Sequence, residues 1–252
     1  MMIKRNWLLL IAFLSFATFL ISNFPASTAY NWLNPPELRL IGIQGTIWSA
    51  QARQGSIGEF YFENLRFQLN PWQTLLLRLE GNIHANFPGG SINSNFILSN
   101  NQIVFMSLRG ETTISALRNF LPIRGTEGLV SFDLSEVILL EGRLVNAVGN
   151  LHLSGLAVPP LVYNGSGNLI SLGNYQISFD KKNNGLGGSF TDQGGPMDVS
   201  GNWSLNSDQE FFIEGSLKTH PNADSALIQG ITFMTSEPDE LGNRKFSFAG
   251  SL

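Results

Sequence analysis

From about residue 40 onward, apolar side chains recur with a period of two rather than 3.6. Val130, Phe132 and Leu134 alternate with Leu129, Ser131 and Asp133. Tyr175, Ile177 and Phe179 alternate with Gln176, Ser178 and Asp180, and Ile213, Gly215 and Leu217 alternate with Glu214 and Ser216. Phe246, Phe248 and Leu252 share one parity at the far end. Such alternation marks strands with one buried and one wet face. Antiparallel sheets permit that arrangement; parallel sheets covered on both faces do not.

Glycine and asparagine supply the punctuation. Pro88-Gly89-Gly90, Asn100-Asn101, Asn183-Asn184-Gly185 and Gly194-Gly195-Pro196 separate strand-like runs by hairpin-sized gaps. Phe60 and Phe62 have even parity, whereas Leu65, Phe67 and Leu69 have odd parity. One extra residue near Glu63-Asn64 explains the switch and predicts a β-bulge there. Gly81-Asn82, Gly149-Asn150, Gly167-Asn168 and Gly201-Asn202 each open an apolar-alternating run. They read as repeated hairpin starts in a meander, with chance in an Asn- and Gly-rich chain as the alternative.

Helical signals are short. Asn70 followed by Pro71 reads as an N-cap and first helical residue before Trp72–Leu77. Ser115–Leu121 is stopped by Pro122, and Asn222–Gln229 by Gly230. Helices of about two turns can cap sheet ends but cannot form a layer.

The N-terminus departs from this pattern. Lys4 and Arg5 precede Trp7 to Phe24, a stretch without a charged side chain. A helix of that length rises about 27 Å, close to the ~30 Å hydrocarbon core of a bilayer. The two early basic residues favour a cytoplasmic N-terminus. The expected organisation is a cytoplasmic segment 1–6, a transmembrane anchor 7–24 and a β-rich domain 25–252 outside the cytoplasm. A cleavable signal peptide is the alternative, with Ser27-Thr28-Ala29 as its small residues. The expected fold is therefore mainly β: an N-terminal transmembrane helix followed by a twisted or curled antiparallel β-sheet domain with a few short helices.

Charge is scarce. Charged residues make up 13% of the chain, against about 25% in typical soluble domains. All 19 acidic residues and all but Lys4 and Arg5 of the 15 basic ones follow residue 24, which leaves a net charge of −6 there. A mildly acidic domain without a basic patch is no nucleic-acid binder. With no cysteine, disulfides and thiol catalysis are excluded.

The same scarcity weighs against an enzyme, because acid–base catalysis needs perturbed carboxylates, histidines or lysines in a pocket. His84, His152 and His220 lie far apart without ligand spacing and read as surface histidines. The chain has no nucleophile elbow, no His-Glu-x-x-His pair and no phosphate-binding glycine loop. Gly185-x-Gly187-Gly188 reads as a turn. Glu237, Asp239 and Glu240 with Arg244 and Lys245 bracket Pro238 and Gly242 and read as a solvated loop. No catalytic, metal or cofactor residue is assigned, and no cofactor is expected. The 19 phenylalanines read as the apolar core of a sheet, or alternatively as a groove for an acyl chain or a partner's helix. Trp48 is expected as a large core anchor.

Several short motifs resemble one family. Gly45-Thr46-Ile47-Trp48-Ser49 is similar to a Gly-Thr-Leu-Trp-Ser-Gly signature placed shortly after an anchor. Leu69-Asn70-Pro71 with Leu75-Leu76, Leu172-Gly173-Asn174-Tyr175, and Gly194-Gly195 followed by Val199-Ser200-Gly201 resemble later elements. Phe212-Ile213-Glu214-Gly215-Ser216-Leu217 and Phe248-Ala249-Gly250-Ser251-Leu252 resemble the ending. Together, over residues 5–252, these resemble the type II secretion system protein N family of accessory inner-membrane proteins. Ala50 stands where that family usually has Gly, which bears on the geometry of the first turn. The resemblance picks out Gly45, Thr46, Trp48, Ser49, Pro71, Gly173, Tyr175, Gly201, Gly215 and Gly250 as family-motif positions, and carries over no catalytic residue. It implies an accessory structural subunit that supports export of folded proteins from the periplasm across the outer membrane. Its expected partners are other inner-membrane secretion subunits and the lipid bilayer; its expected location is the bacterial inner membrane, single-pass, with the C-terminal domain in the periplasm. The alternative is an AsmA-like membrane-anchored protein that handles lipid, with an acyl chain in an apolar β groove.

Overall fold

A computed structural model describes residues 2–251 apart from 37, 59, 76–77, 88, 100, 119–120, 122, 161–168 and 183–184. The chain divides into two compact units, residues 1–86 and 87–252. The first holds helices α1 (Met2–Ser22) and α2 (Ala26–Leu33), strands β1 (Leu38–Ile41), β2 (Gln44–Thr46), β3 (Ser49–Ile57) and β4 (Phe60–Leu69), and helix α3 (Pro71–Leu75). The division falls at the end of β5 (Leu79–Phe87). The strand order is β1-β3-β4-β5, antiparallel throughout, with β2 folded back on β3. Ala50, Ala52, Phe62 and Ala85 are its buried side chains on the sheet.

The second unit holds β6 (Gly90–Ser99), β7 (Gln102–Thr113), a 3-10 turn (Ile114–Leu117), β8 (Glu127–Leu140), β9 (Arg143–Val158), β10 (Ile170–Lys182), β11 (Gly185–Asp192), β12 (Met197–Leu205), β13 (Glu210–Thr219), α4 (Ser225–Met234) and β14 (Arg244–Ser251). Strands β6 to β14 pair antiparallel in chain order, an open meander. One core cluster joins Ile170, Met197 and Val199 of the sheet to Leu227 and Ile231 of α4. A second joins Val137, Ala147 and Leu186, with Phe179 and Trp203 packed against it.

The mainly antiparallel β fold with few short helices is as the alternation requires. Val130 and Val137 of β8 are both buried although they differ in parity. A register shift between Leu134 and Glu136 reconciles them. The bulge expected near Glu63-Asn64 is present: the β4–β5 register shifts between Glu63 and Arg66, and Asn64 has φ 50°. Asn101 (φ 60°) turns β6 into β7. Asn70 accepts from Trp72 N–H at 3.1 Å through its side chain, as an N-cap does.

Some expectations are corrected. Two of the Gly-Asn pairs are not hairpin starts: Gly149 and Gly201 lie in the middle of β9 and β12. Gly81 is the third residue of β5, and Gly167-Asn168 lies outside the described residues. α4 does not stop at Gly230 but runs to Met234. Ile231, buried one residue further on, holds that last turn on the sheet and offsets the roughly 1 kcal/mol helix cost of a glycine. Helix α1 forms where the anchor is expected, but among the described residues no helix is long and apolar enough to cross a membrane. From Trp7 to its end at Ser22, α1 rises about 24 Å, short of the ~30 Å core. Asn23 turns the chain out of the helix, and Phe24, which precedes Pro25, is not helical.

Mid-strand glycines lie under aromatic rings. Gly55 faces Phe62, Gly110 faces Phe132, Gly201 faces Phe190, Gly215 faces Phe246 and Gly250 faces Phe211, each across one rung of the ladder. In every pair the ring occupies the space a Cβ would need, at 2.6 Å for Phe132 over Gly110 and 2.8 Å for Phe246 over Gly215. Gly201 and Gly215 are themselves cross-strand partners. The rings of Phe190 on β11 and Phe246 on β14 therefore meet with centroids 6.1 Å apart. Those strands are three spacings apart, about 14 Å; only glycine at both intervening positions lets the rings approach. Gly201→Ala drives a methyl into Phe190 and the Glu214 carbonyl. We predict a loss of about 1–3 kcal/mol, measured as a lower denaturant midpoint with an unchanged m-value.

Candidate contact sites: the helix–hairpin junction and an apolar cleft

The first group of motif residues sits where α1 meets the β2–β3 hairpin. Thr46 pairs with Ser49, so Ile47 and Trp48 form a two-residue turn. Gly45 has φ 96°, and a Cβ there would strike the Ser49 carbonyl, so the turn requires glycine. The Thr46 hydroxyl accepts from Trp48 N–H at 3.3 Å. Trp48 Nε1 donates to the Ile21 carbonyl at 2.9 Å, and Ile47 N–H donates to the Phe24 carbonyl at 3.0 Å. The last carbonyls of a helix lack intrahelical partners; Trp48 supplies one. Trp48 is half-buried rather than the core anchor expected, because its indole reaches out to α1. Ala50 is buried opposite Gly45, so the turn closes with alanine there. Phe24 and Trp32 pack at 5.2 Å beside it.

The second site is an apolar cleft on the other unit. Asp224 caps α4 by accepting from Ala226 N–H at 2.7 Å. Leu227 and Ile231 point into the core, while Phe233 is 88% and Met234 57% exposed. Between α4 and the sheet lies a cleft of about 320 Å³ lined by Ile123, Val158, Ile170, Leu172, Phe233 and Met234, among others, with no charged residue in its wall. A helix stopped at Gly230 does not reach Phe233 and Met234, so the capping signal at Gly230 hides this cleft. The signal available was the uncharged run Ile231-Thr232-Phe233-Met234.

The remaining motif positions lie elsewhere on the chain. Pro71 opens α3. Gly173 lies between two register shifts of β10, where a Cβ would meet the backbone of Gly194 and Gly195. The Asn174 side chain accepts from Gly155 N–H at 2.8 Å, and its backbone bonds Gly194 and Gln193. Tyr175 donates its hydroxyl to the Leu172 carbonyl at 2.7 Å. Burial, and then the charge of Asp192, push its phenol up to about 12. Gly201 and Gly215 lie side by side on β12 and β13, and Gly250 lies on β14 beneath Phe211. The motif positions are thus spread over several places rather than gathered at one.

Titratable side chains are dispersed. His152 is exposed, and His220 contacts Asp198 at 2.8 Å. Arg109 pairs with Asp133 at 3.0 Å in the open. Asp239 organises its own loop, accepting from Asn243 N–H at 2.8 Å and Leu241 N–H at 3.0 Å. The bond from Asn243 N–H holds its carboxyl below the usual range. Among the described residues no three His, Asp or Glu side chains form a group able to hold a metal ion.

The family model for "Type II secretion system (T2SS), protein N" matches residues 36–247. The chain belongs to this family. It is 23% identical to the type II secretion system protein N of Aeromonas hydrophila over 254 residues, covering 97% of this chain and 96% of that one. No solved structure matches it. The Gly-Thr-Ile-Trp-Ser motif falls inside the matched region, while α1, which it holds, falls before it. Trp48→Phe keeps the ring but loses the bond to Ile21. We predict a loss of about 1 kcal/mol, with faster proteolysis between Asn23 and Ala26 as the measured sign that the junction has loosened.

Proposed function

We propose that this chain is an accessory structural subunit of a type II secretion system that works by contact rather than turnover. In this reading the uncharged N-terminal segment 7–24 anchors it at the inner membrane, with residues 1–6 in the cytoplasm and 25–252 in the periplasm. Lys4 and Arg5 before the apolar run support that orientation. Its partners are other inner-membrane subunits of the apparatus. The family assignment supports the system, and the observation that carries the contact reading is the cleft beside α4. An apolar, uncharged recess rimmed by a fully presented phenylalanine marks an interaction surface.

Phe233→Asp tests this in the full chain. Phe233 is 88% exposed, so the thermal midpoint should be unchanged. A central aromatic anchor is worth about 2 kcal/mol, roughly 30-fold in affinity. Crosslinking in membranes should lose its capture of secretion subunits, and export should fall. Unchanged crosslinking and export contradict the reading. A phospholipid that co-purifies at near one per chain, with no secretion subunit captured, supports the lipid-handling alternative instead.

A further inference from the structure

The two outermost strands are treated differently. On β1 the Tyr30 hydroxyl donates to the Leu38 carbonyl at 2.8 Å and accepts from Leu40 N–H at 3.1 Å. These are the groups that β1 turns away from β3, so a side chain of α2 has closed that edge. On β14 only the first rung is closed: Ser236 N–H donates to the Lys245 carbonyl at 2.9 Å, and its hydroxyl accepts from Lys245 N–H at 3.0 Å. Lys245 therefore faces away from β13. By the alternation of an antiparallel ladder, so do Ser247, Ala249 and Ser251. Their outward N–H and C=O groups have no partner among the described residues. All of Ser247 to Ser251 is exposed. The stretch carries no proline and no charge, the usual guards of a free edge.

We propose that a second copy of this chain pairs with β14, antiparallel, about a two-fold axis at Ala249. Three observations favour a second copy. In this register Ser247 faces Ser251 of the other copy and Ala249 faces its own equivalent, so the small side chains meet with no like charges opposed. Phe248, 39% exposed, comes opposite Gly250. Phe211 of β13 already covers Gly250, so the incoming ring meets Phe211 across that glycine, as Phe190 meets Phe246 across Gly201 and Gly215. The pairing also stops short of Lys245, whose outward groups Ser236 already holds. The contact is an isologous one that closes on itself. It is separate from the cleft beside α4 and does not rest on the function proposed above.

The chain has no cysteine, so a single introduced thiol reports without background. Facing Cβ atoms in such a ladder lie roughly 4.5–5.5 Å apart, near disulfide reach. The full chain in mild detergent should show twice the 27.7 kDa chain mass by light scattering. Ala249→Cys should give a disulfide-linked homodimer on mild oxidation, and Leu40→Cys on the closed edge should not. Ala249→Pro removes only an outward N–H and should return the chain to single mass. Should that variant fail to fold, the light-scattering mass and the two cysteine variants still decide. A single-chain mass at tens of micromolar overturns the proposal. Equal dimer yield from Leu40→Cys, or capture of a different polypeptide in place of a second copy by Ala249→Cys, overturns it as well.

Discussion

A phenylalanine ring laid over the glycine opposite it is the contact on which much of this sheet depends. A sheet this poor in charge has to bury apolar area, yet each strand is narrow and its neighbours stand about 4.8 Å away. Glycine alone would weaken a strand, since it has nothing to pack and much backbone entropy to lose. The ring from the next strand fills the missing side chain's place, as Phe132 does for Gly110 and Phe246 for Gly215. It covers the exposed backbone and buries its own face in one step. Because Gly201 and Gly215 are adjacent, Phe190 and Phe246 reach each other across two intervening strands. They thereby form part of the apolar floor on which α4 rests.

That floor positions the cleft. α4 is seated by Leu227 and Ile231 against Ile170, Met197 and Val199, with Phe190 and Phe246 packed around them. The helix carries no charge over Ser225–Met234, and it leaves Ile228, Phe233 and Met234 exposed. Phe233 and Met234 are left at the rim because the helix outlasts its contact with the sheet. A domain built this way offers two kinds of surface: a recess that suits apolar side chains, and a strand edge that suits a backbone. The separate junction at Trp48 ties the N-terminal helix to its first hairpin through the Ile21 carbonyl, which also accepts from Phe24 N–H at 3.4 Å.

The strands were legible because burial on one face imposes a period of two, and Val130, Ile213 and Tyr175 follow it. The bulge at Asn64 was legible because a parity switch from Phe62 to Leu65 has few other causes. The extent of α4 was not, because a glycine at position 230 is equally a stop signal and a tolerated interior residue, and tertiary packing of Ile231 decides which. Helix α2 carries no capping side chain at Pro25 and left no periodic signal. Trp48 could be recognised as part of a motif, but its role depends on Ile21, 27 residues away, which no local pattern reveals. The glycine–phenylalanine pairs are visible as composition, but their pairing requires the register.

The most direct test of this account is the proton chemical shift of the strand glycines. A Cα proton beneath an aromatic ring is shielded by the ring current. The account predicts that the Cα protons of Gly110, Gly201 and Gly215 resonate well upfield of those of Gly142 and Gly194, where nothing lies within 4 Å of the Cβ position. Replacing Phe190 by Leu should then return Gly201 to the ordinary range. Ordinary shifts at Gly110, Gly201 and Gly215 in the folded protein would contradict the account.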